Sequence, residues 1–432
     1  MRVLFVTAPF KAHLYVQVPL AAAFRNAGHD VRVAAPPEMV DAIGATGLSG
    51  FPVGATVDLA PLMGEVPRLS GGSRSGPVEK PAQTEYTREN PFAELEYTAW
   101  GHRALFNHEA IFDDLVELAG DWQADLIVRD PFVLAAAVAA RVTGAADVRM
   151  LFGSDTMAQI RAACYGAHGG LHRSAGLPDP VRDWLQPILE SYGESFDEEI
   201  VIGQRTVVGW PPWTWRPDDV HYLPTRPLAF HGPYQVEEWM YRPPRKPRVC
   251  ITHGISHRDN WFGHSNWVDT AFEAVEGLDI EVVALFNAKQ LGDRTVPDNV
   301  RAVEFAPLNV LLPTCTAVVH HGGYGPMASS LEHGVPQLIV PNIDSTEKWW
   351  GPVALAKGVE EQGAGAYVAD SDQLTPQLLR EHIVRVVGDP GVVANAVRLS
   401  RESRNVPSPN DTVRVLEAFV AERSGARVAA AG

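Results

Sequence analysis

A chain of 432 residues with 46% hydrophobic content is too long for one typical domain and can bury a sizeable core, so two domains are expected. A formal charge of −16 argues against a nucleic-acid or anionic-membrane surface, and any anion site has to be local. Three cysteines, Cys164, Cys250 and Cys315, cannot make a disulfide framework and lack metal-ligand spacing; Cys250 and Cys315 lie in apolar runs and read as buried thiols. The opening MRVLFVTAPF is too short an apolar run for a secretory signal, and no span of 18 or more apolar residues exists, so a cytoplasmic protein is expected.

Residues 2–7 read as a buried strand, followed by the turn Ala8-Pro9-Phe10-Lys11. Helix signals follow, with Pro19 near the start, Leu20 and Phe24 at helical spacing and Gly28 at the end, and 30–35 is the next strand. Strand, helix, strand implies a parallel sheet. The first turn lacks G-x-G-x-x-G, which argues against a dinucleotide site there; it carries His13 instead, at the sheet edge where α/β ligands sit. A helix over 38–44 and a short strand over 51–53 come next. Periodicity is lost over 61–90, which contains GGSRSGP and reads as a lid or as mere surface. A helix over 99–120, a strand over 125–128, a helix over 132–142 closed by Gly144 and a strand over 147–152 follow. Asp130 stands just past the strand, which puts it on the same edge as His13. A carboxylate beside an imidazole orients it and favours its protonated form.

Residues 158–192 read as helical with aromatic interruptions. Trp210, Trp213 and Trp215 in GWPPWTW form a rigid loop that either lines an apolar pocket or packs at a domain junction. The acidic pair Asp218-Asp219 reads as solvated surface charge rather than a metal site. A Pro-rich, cationic segment over 228–248 reads as a linker.

The α/β pattern then restarts: a strand over 248–252, a turn with His253, Gly254 and Ser256, a helix over 267–276, and strands over 281–286 and 300–304, the last running into Phe305-Ala306-Pro307-Leu308. The stretch AVVHHGGYGPMASSLEHGVPQLIVPNID over 317–344 carries most of the chemistry. It reads as a strand over 317–319, a turn with Gly322, Gly323 and Gly325, Pro326 as first helical residue, a helix over 327–333 ended by Gly334 in the left-handed region, and a strand from 337. Such a turn aims backbone N–H groups and the positive helix end at one point, an anion site to which His321 can add a donor; the alternative is a plain βα turn. Helices over 374–387 and 411–423 and a frayed tail over 425–432 complete the chain.

Two α/β halves, a Pro-rich link and a late anion turn are the plan of a two-domain transferase. Several stretches make the resemblance concrete: MRVLFVTAPFKAHLYVQVPLAAAFRNAGHDVRVAAPP, ADLIVRDPF, SFDEEIVIGQRTV, FHGPYQVEEWMYRPPRKPRVCITHG and EFAPLNVLLPTCTAVVHHGGYGP…GVPQLIVP. Through them nearly the whole chain resembles the GT-B glycosyltransferases of family 1, specifically the actinobacterial enzymes that glycosylate polyketide antibiotics. The resemblance implies two Rossmann-like parallel-sheet domains facing across a cleft: an acceptor-binding domain over 1–227, a linker over 228–247, a nucleotide-sugar-binding domain over 248–410, and a C-terminal helix and tail over 411–432.

By the same resemblance, His13 matches the base that takes the acceptor's proton and Asp130 the aspartate that orients it. His321, with Gly322 and Gly323, matches the donor diphosphate site. Phe305 matches the ring stacked on the nucleobase, and Gly254 and Ser256 the second-domain turn near the phosphates. Pro326 stands where relatives often carry a hydroxyl. PNIDSTE offers Asp344 and Ser345 in place of the usual Asp-Gln pair on the sugar, and fewer polar groups suit a TDP-deoxysugar. The resemblance implies an inverting hexosyltransferase without metal or other cofactor, the TDP-sugar being a co-substrate, acting on a hydrophobic polyketide aglycone. It leaves open an activator related to cytochrome P450 and a homodimer, and implies no nucleic-acid or membrane partner. Two alternatives stand beside it: a nucleotide-sugar epimerase of the same fold, and a degenerate transferase that only binds a partner. Read without the resemblance, His13 would cap the helix after it, Asp130 would be a turn residue, Phe305 would belong to the core, His320 would be structural, and His253 and His257 would be ordinary loop residues.

Overall fold

The computed structural model describes residues 1–57, 91–165, 179–260, 267–342 and 351–431. The expectations for a lid over 61–90 and for Asp344 and Ser345 fall outside these residues. The chain divides into two compact units, one of Met1–Gly209, Trp215–Thr225 and Pro407–Gly432, the other of Trp210–Thr214 and Arg226–Val406.

In chain order the first unit contains β1 (Arg2–Val6), α1 (Lys11–Asn26), β2 (Asp30–Ala35), α2 (Val40–Gly44), β3 (Gly50–Pro52), α3 (Pro91–Phe106), α4 (Glu109–Asp121), β4 (Leu126–Arg129), α5 (Leu134–Thr143), β5 (Ala146–Leu151), α6 (Thr156–Tyr165), α7 (Pro180–Ser191), α8 (Glu199–Ile202), β6 (Arg205–Val208) and β7 (Tyr222–Pro224). Its sheet is parallel, in the order β3-β2-β1-β4-β5-β6-β7, with Val3 opposite both Val31 and Leu126. Continuous apolar runs such as RVLFV suit a strand covered on both faces. Leu4 and Val6 join the core with Leu115 of α4 and Val138 of α5. Phe5 points the other way and meets Phe24 of α1 edge-on, with ring centres 6.1 Å apart.

α1 and the helix expected over 99–120 differ from expectation. α1 begins at Lys11, so Pro19 lies in its interior rather than near its start. Gln17 helps hold it by donating to the Val6 carbonyl at the end of β1, 3.1 Å away. The single helix expected over 99–120 is two, α3 and α4, broken at Asn107. The Asn107 amide donates to the carbonyls of His102 (2.8 Å) and Phe132 (2.9 Å) and accepts from Ala135 N–H (2.8 Å) in the first turn of α5. A side chain that satisfies its partners in this way competes with the helix backbone and ends the helix.

Residues 195–207, the SFDEEIVIGQRTV stretch, brace this unit from within. Arg129 donates to the carbonyls of Ile200 (3.0 Å) and Val201 (3.2 Å), Arg161 pairs with Glu198 (2.7 Å), Arg141 with Asp197 (2.7 Å), and the Gln204 side chain accepts from Asp147 N–H (3.1 Å).

The second unit contains α9 (Glu238–Tyr241), β8 (Arg248–Thr252), α10 (Gly254–Asn260), α11 (Trp267–Val275), β9 (Glu281–Leu285), α12 (Ala288–Leu291), β10 (Val300–Val303), α13 (Leu308–Leu311), β11 (Ala317–His320), α14 (Tyr324–His333), β12 (Gln337–Ile339), α15 (Pro352–Glu361), β13 (Gly365–Tyr367), α16 (Pro376–Gly388) and α17 (Pro390–Arg404). Its parallel sheet has the order β10-β9-β8-β11-β12-β13. The period-two alternation of strands divides its core in two: Val249, Ile251 and Val319 pack on one face, Cys250, Val283 and Val318 on the other. Met240, from the Pro-rich segment, is buried in the second of these layers. Trp213 packs so closely on α15 that a β-carbon at Gly358 would lie 1.9 Å from its ring.

The last helix, α18 (Pro409–Ala431), belongs to the first unit and continues through the stretch expected to fray. His29 Nε2 lies 2.8 Å from Glu417, Thr412 Oγ1 donates to Thr225 Oγ1 at 3.0 Å, and the Arg205 guanidinium sits 4.5 Å above the Phe419 ring. Among the described residues no helix is long and apolar enough to cross a membrane. Cys164 and Cys250 are buried, whereas Cys315 is only partly so in accessible surface. Burial raises all three thiols, Cys164 to about 11 and Cys315 to about 12, so none is a thiolate near neutral pH.

Candidate active site

Both sheets reverse their strand order once, between β1 and β4 in the first unit and between β8 and β11 in the second. In open α/β sheets the crevice outside the carboxyl ends of such a strand pair is where ligands bind. Each expected cluster is built on one of these pairs.

In the first unit His13, third residue of α1, follows β1, and Asp130 follows β4. His13 Nδ1 and Asp130 Oδ2 are 2.6 Å apart, with the two residues 6% and 1% exposed. Asp130 is held by its own turn: its N–H donates to the Val6 carbonyl (2.8 Å) and its Oδ1 accepts from Phe132 N–H (2.9 Å). It is thus a turn residue and a partner of His13 at once. His13 does not cap α1; Phe10 occupies the cap position, with no side-chain capping bond. Phe10, Phe132 and Phe152 surround the imidazole, with ring centres 5.2, 5.5 and 3.9 Å from it.

The sequence reading missed this aromatic surround, whose signal is a phenylalanine just beyond each of β1, β4 and β5. It also missed His102 on α3, 4.9 Å ring to ring from Phe132. Burial lowers His102 to about 4, outweighing the opposite pull of Asp130, so it is neutral near pH 7.

In the second unit the His321 ring fits between two glycines. A β-carbon at Gly254 would stand 2.6 Å from His321 Cε1, and one at Gly323 would stand 2.5 Å from Nε2. Gly254 also has φ +73°, the region that favours glycine. His253 stacks on Trp267 with ring centres 4.9 Å apart and planes 2° from parallel, and meets His321 edge-on at 6.1 Å.

His320 is structural, hydrogen-bonded on both ring nitrogens. Its Nδ1 accepts from Gly322 N–H (3.0 Å), which puts its hydrogen on Nε2, facing Gln337 Oε1 at 3.1 Å. Burial lowers it to about 4, with Gln337 opposing. This arrangement changes the expected anion turn, because the Gly322 N–H is directed inward to His320 and not toward a ligand. Gly322 keeps a packing role: at φ +94°, a β-carbon there would stand 2.7 Å from Pro352 Cβ.

α14 begins at Tyr324 with Gly323 at its cap, so Pro326 is its third residue and not its first. The position is still compatible, since N–H groups of the first turn lack intrahelical partners. The first turn of a helix leaves N–H groups without intrahelical partners at its positive end. Gly334 ends the helix in the left-handed region at φ +68°.

Phe305 is half-buried between β10 and α13. The Arg258 guanidinium lies 5.7 Å from its ring centre, and Tyr234 is 6.5 Å away. Ser256 lies in α10, two residues past Gly254, and is partly exposed. The His257 side chain falls outside what is described. Asp218 and Asp219 are exposed, and among the described residues no group of His, Cys, Asp or Glu side chains is arranged to hold a metal ion.

Residues 22–254 match the family described as erythromycin biosynthesis protein CIII-like, N-terminal domain, and residues 269–419 match its C-terminal domain. The chain is 40% identical to aclacinomycin-T 2-deoxy-L-fucose transferase of Streptomyces galilaeus, over 98% of this chain and 97% of that protein. It is 36% identical to 3-alpha-mycarosylerythronolide B desosaminyl transferase of Saccharopolyspora erythraea, over 98% and 99% of the two chains. Among solved structures it is similar to glycosyltransferase VinC in complex with dTDP, with 34% identity, a TM-score of 0.81 and coverage of 98% and 100%. Spinosyn forosaminyltransferase SpnP gives 33% identity, a TM-score of 0.79 and coverage of 98% and 99%.

Proposed function

This chain belongs to the erythromycin biosynthesis protein CIII-like family and is a GT-B glycosyltransferase, and on that ground we propose that it moves a deoxysugar from a TDP-sugar to a hydroxyl of a polyketide aglycone, with inversion at the anomeric carbon. The observation that carries the mechanism is the buried 2.6 Å pair of His13 Nδ1 and Asp130 Oδ2 at a strand-order reversal.

With the Nδ1 hydrogen donated to Asp130, the imidazole lone pair lies on Nε2. Nε2 takes the acceptor's proton as its oxygen attacks the anomeric carbon, and the bond from that carbon to the diphosphate breaks. Asp130 fixes the tautomer and favours the imidazolium that forms. Inversion follows because attack and departure occur on opposite faces of one carbon in a single step.

The departing diphosphate needs its developing charge met. His321, the N–H groups opening α14 and the helix end supply that stabilisation in place. Gly254 and Gly323 leave room for His321, Phe305 offers a face to the thymine, and Ser256, Asp344 and Ser345 complete the donor contacts. The acceptor is assigned to the first unit and the donor to the second, in a cytoplasmic enzyme. The transferases named for desosamine and 2-deoxy-L-fucose among its relatives support a deoxysugar donor.

The test offers the purified enzyme a TDP-deoxysugar or UDP-glucose with a polyketide aglycone and reads the product's anomeric configuration by NMR. Faster use of the TDP-deoxysugar with inversion is expected; equal or faster use of UDP-glucose, or retention, contradicts the proposal. The same preparation tests the accessory expectations. Full activity from the chain alone argues against a required P450-related activator, and its mass in solution reports whether it forms a dimer.

A further inference from the structure

We propose that Phe152 is a positioning residue for the transfer: its ring holds the His13 imidazole against Asp130 and stabilises the imidazolium, and Asp155, Arg149 and Tyr222 fix Phe152 in that place. The proposal rests on His13 being the base.

Of the three phenylalanines around His13, Phe152 is nearest, with ring centres 3.9 Å apart and planes inclined by 39°. It also meets Phe132 edge-on at 5.0 Å, so it is held between the base and the end of β4. A phenyl face at this distance packs against the neutral imidazole and attracts the imidazolium more strongly, so it favours the protonated base over the resting one. The proton passes from the acceptor oxygen to Nε2, the Nδ1 hydrogen stays with Asp130, and Phe152 exchanges nothing.

Phe152 lies in the four-residue turn Phe152–Asp155 joining β5 to α6, and the far end of that turn is tied down unusually firmly. Asp155 receives Arg149 through two bonds (3.0 and 2.6 Å), the Tyr222 hydroxyl (2.9 Å) and Ala158 N–H (3.3 Å) at the start of α6. Arg149 is 0% exposed and also donates to Thr206 Oγ1, at 3.0 Å from one of its terminal nitrogens. A buried, fully bonded ion pair is weak evidence for net stability, but it does specify one geometry. Here the geometry specified is that of the turn carrying Phe152.

The titratable and charged groups around the imidazole are Asp130 from the end of β4, His102 from α3 behind Phe132, and Arg129, whose charge acts on His102; Lys11 on α1 is exposed. None of these is altered by the substitutions below.

The experiment measures kcat, the KM for the TDP-sugar and the pH dependence of kcat in Phe152→Leu, Phe152→Tyr and Tyr222→Phe, beside His13→Ala. Leucine keeps an apolar side chain and removes the aromatic face. Phe152→Leu should lower kcat about tenfold, move the acid limb of the profile to lower pH because the imidazolium has lost a stabilising contact, and leave the donor KM unchanged. Phe152→Tyr should restore most of the rate. Tyr222→Phe, which removes the hydroxyl bonded to Asp155, should show a smaller loss, with a smaller shift of the limb in the same direction. An unchanged kcat and acid limb in a folded Phe152→Leu, with His13→Ala inactive, overturns this proposal and leaves the base assignment standing. An active His13→Ala overturns the base assignment itself.

Discussion

His321 occupies the space that a side chain at Gly254 would need, its Cε1 lying 2.6 Å from the place of an added β-carbon. The glycine is therefore part of the histidine's seat. Gly254→Ala should tilt the ring and strain a backbone at φ +73°. If His321 holds the diphosphate, one charge-assisted bond is lost, and TDP binding measured by calorimetry should weaken about 10- to 100-fold. TDP affinity equal to that of the parent would remove His321 from the donor site.

Acid stability follows from the buried histidines. His102 and His320 are lowered from 6.5 to about 4, so the native state binds fewer protons than the unfolded chain between those values. Their contribution is full above pH 6.5 and declines as pH falls toward 4, each by about 1.4 kcal/mol per pH unit. His102→Phe places a ring of similar shape among Phe106 and Phe132 and removes one titration. Denaturant unfolding at several pH values should give a shallower acid slope for this variant, and an unchanged slope would show that His102 titrates normally in the fold.

Arg161 is 3% exposed and pairs with both Asp179 and Glu198. Arg161→Met keeps much of the length and leaves two carboxylates without their cation. Removing one partner of such a group costs about 3–5 kcal/mol. The thermal midpoint should fall by several degrees, and adding Glu198→Gln should restore part of the loss, which two independent sites would not do.

These residues also mark where the sequence could be read and where it could not. The pairing of His13 with Asp130 was legible because each stands just past a strand, and adjacent parallel strands bring such positions together across a sequence separation of 117. Strands of three residues such as β7 and β13 carry too little periodicity of their own; they exist because a neighbour offers hydrogen bonds. Asn107 breaks a helix for the sake of Phe132 and Ala135, partners more than twenty residues away, so no local pattern announces the break. Likewise, the Gly322 N–H looked available for an anion, and only the rotation of His320 beneath it shows that it is engaged.

Asp130→Asn tests the orienting role apart from the base. Asparagine can still accept from Phe132 N–H, but it carries no charge to favour the imidazolium and can hold His13 in the other tautomer. Turnover should fall about 10²-fold or more, while the KM for the TDP-sugar changes little. A variant that raised KM alone would place Asp130 in binding rather than in the chemical step.

The most direct measurement is the turnover of His13→Ala at saturating TDP-sugar and aglycone, with TDP affinity measured on the same preparation. Loss of the general base should lower kcat about 10²- to 10⁴-fold while TDP binds as in the parent. Turnover near that of the parent, from a variant that folds and binds TDP, would contradict His13 as the base and with it the proposed mechanism.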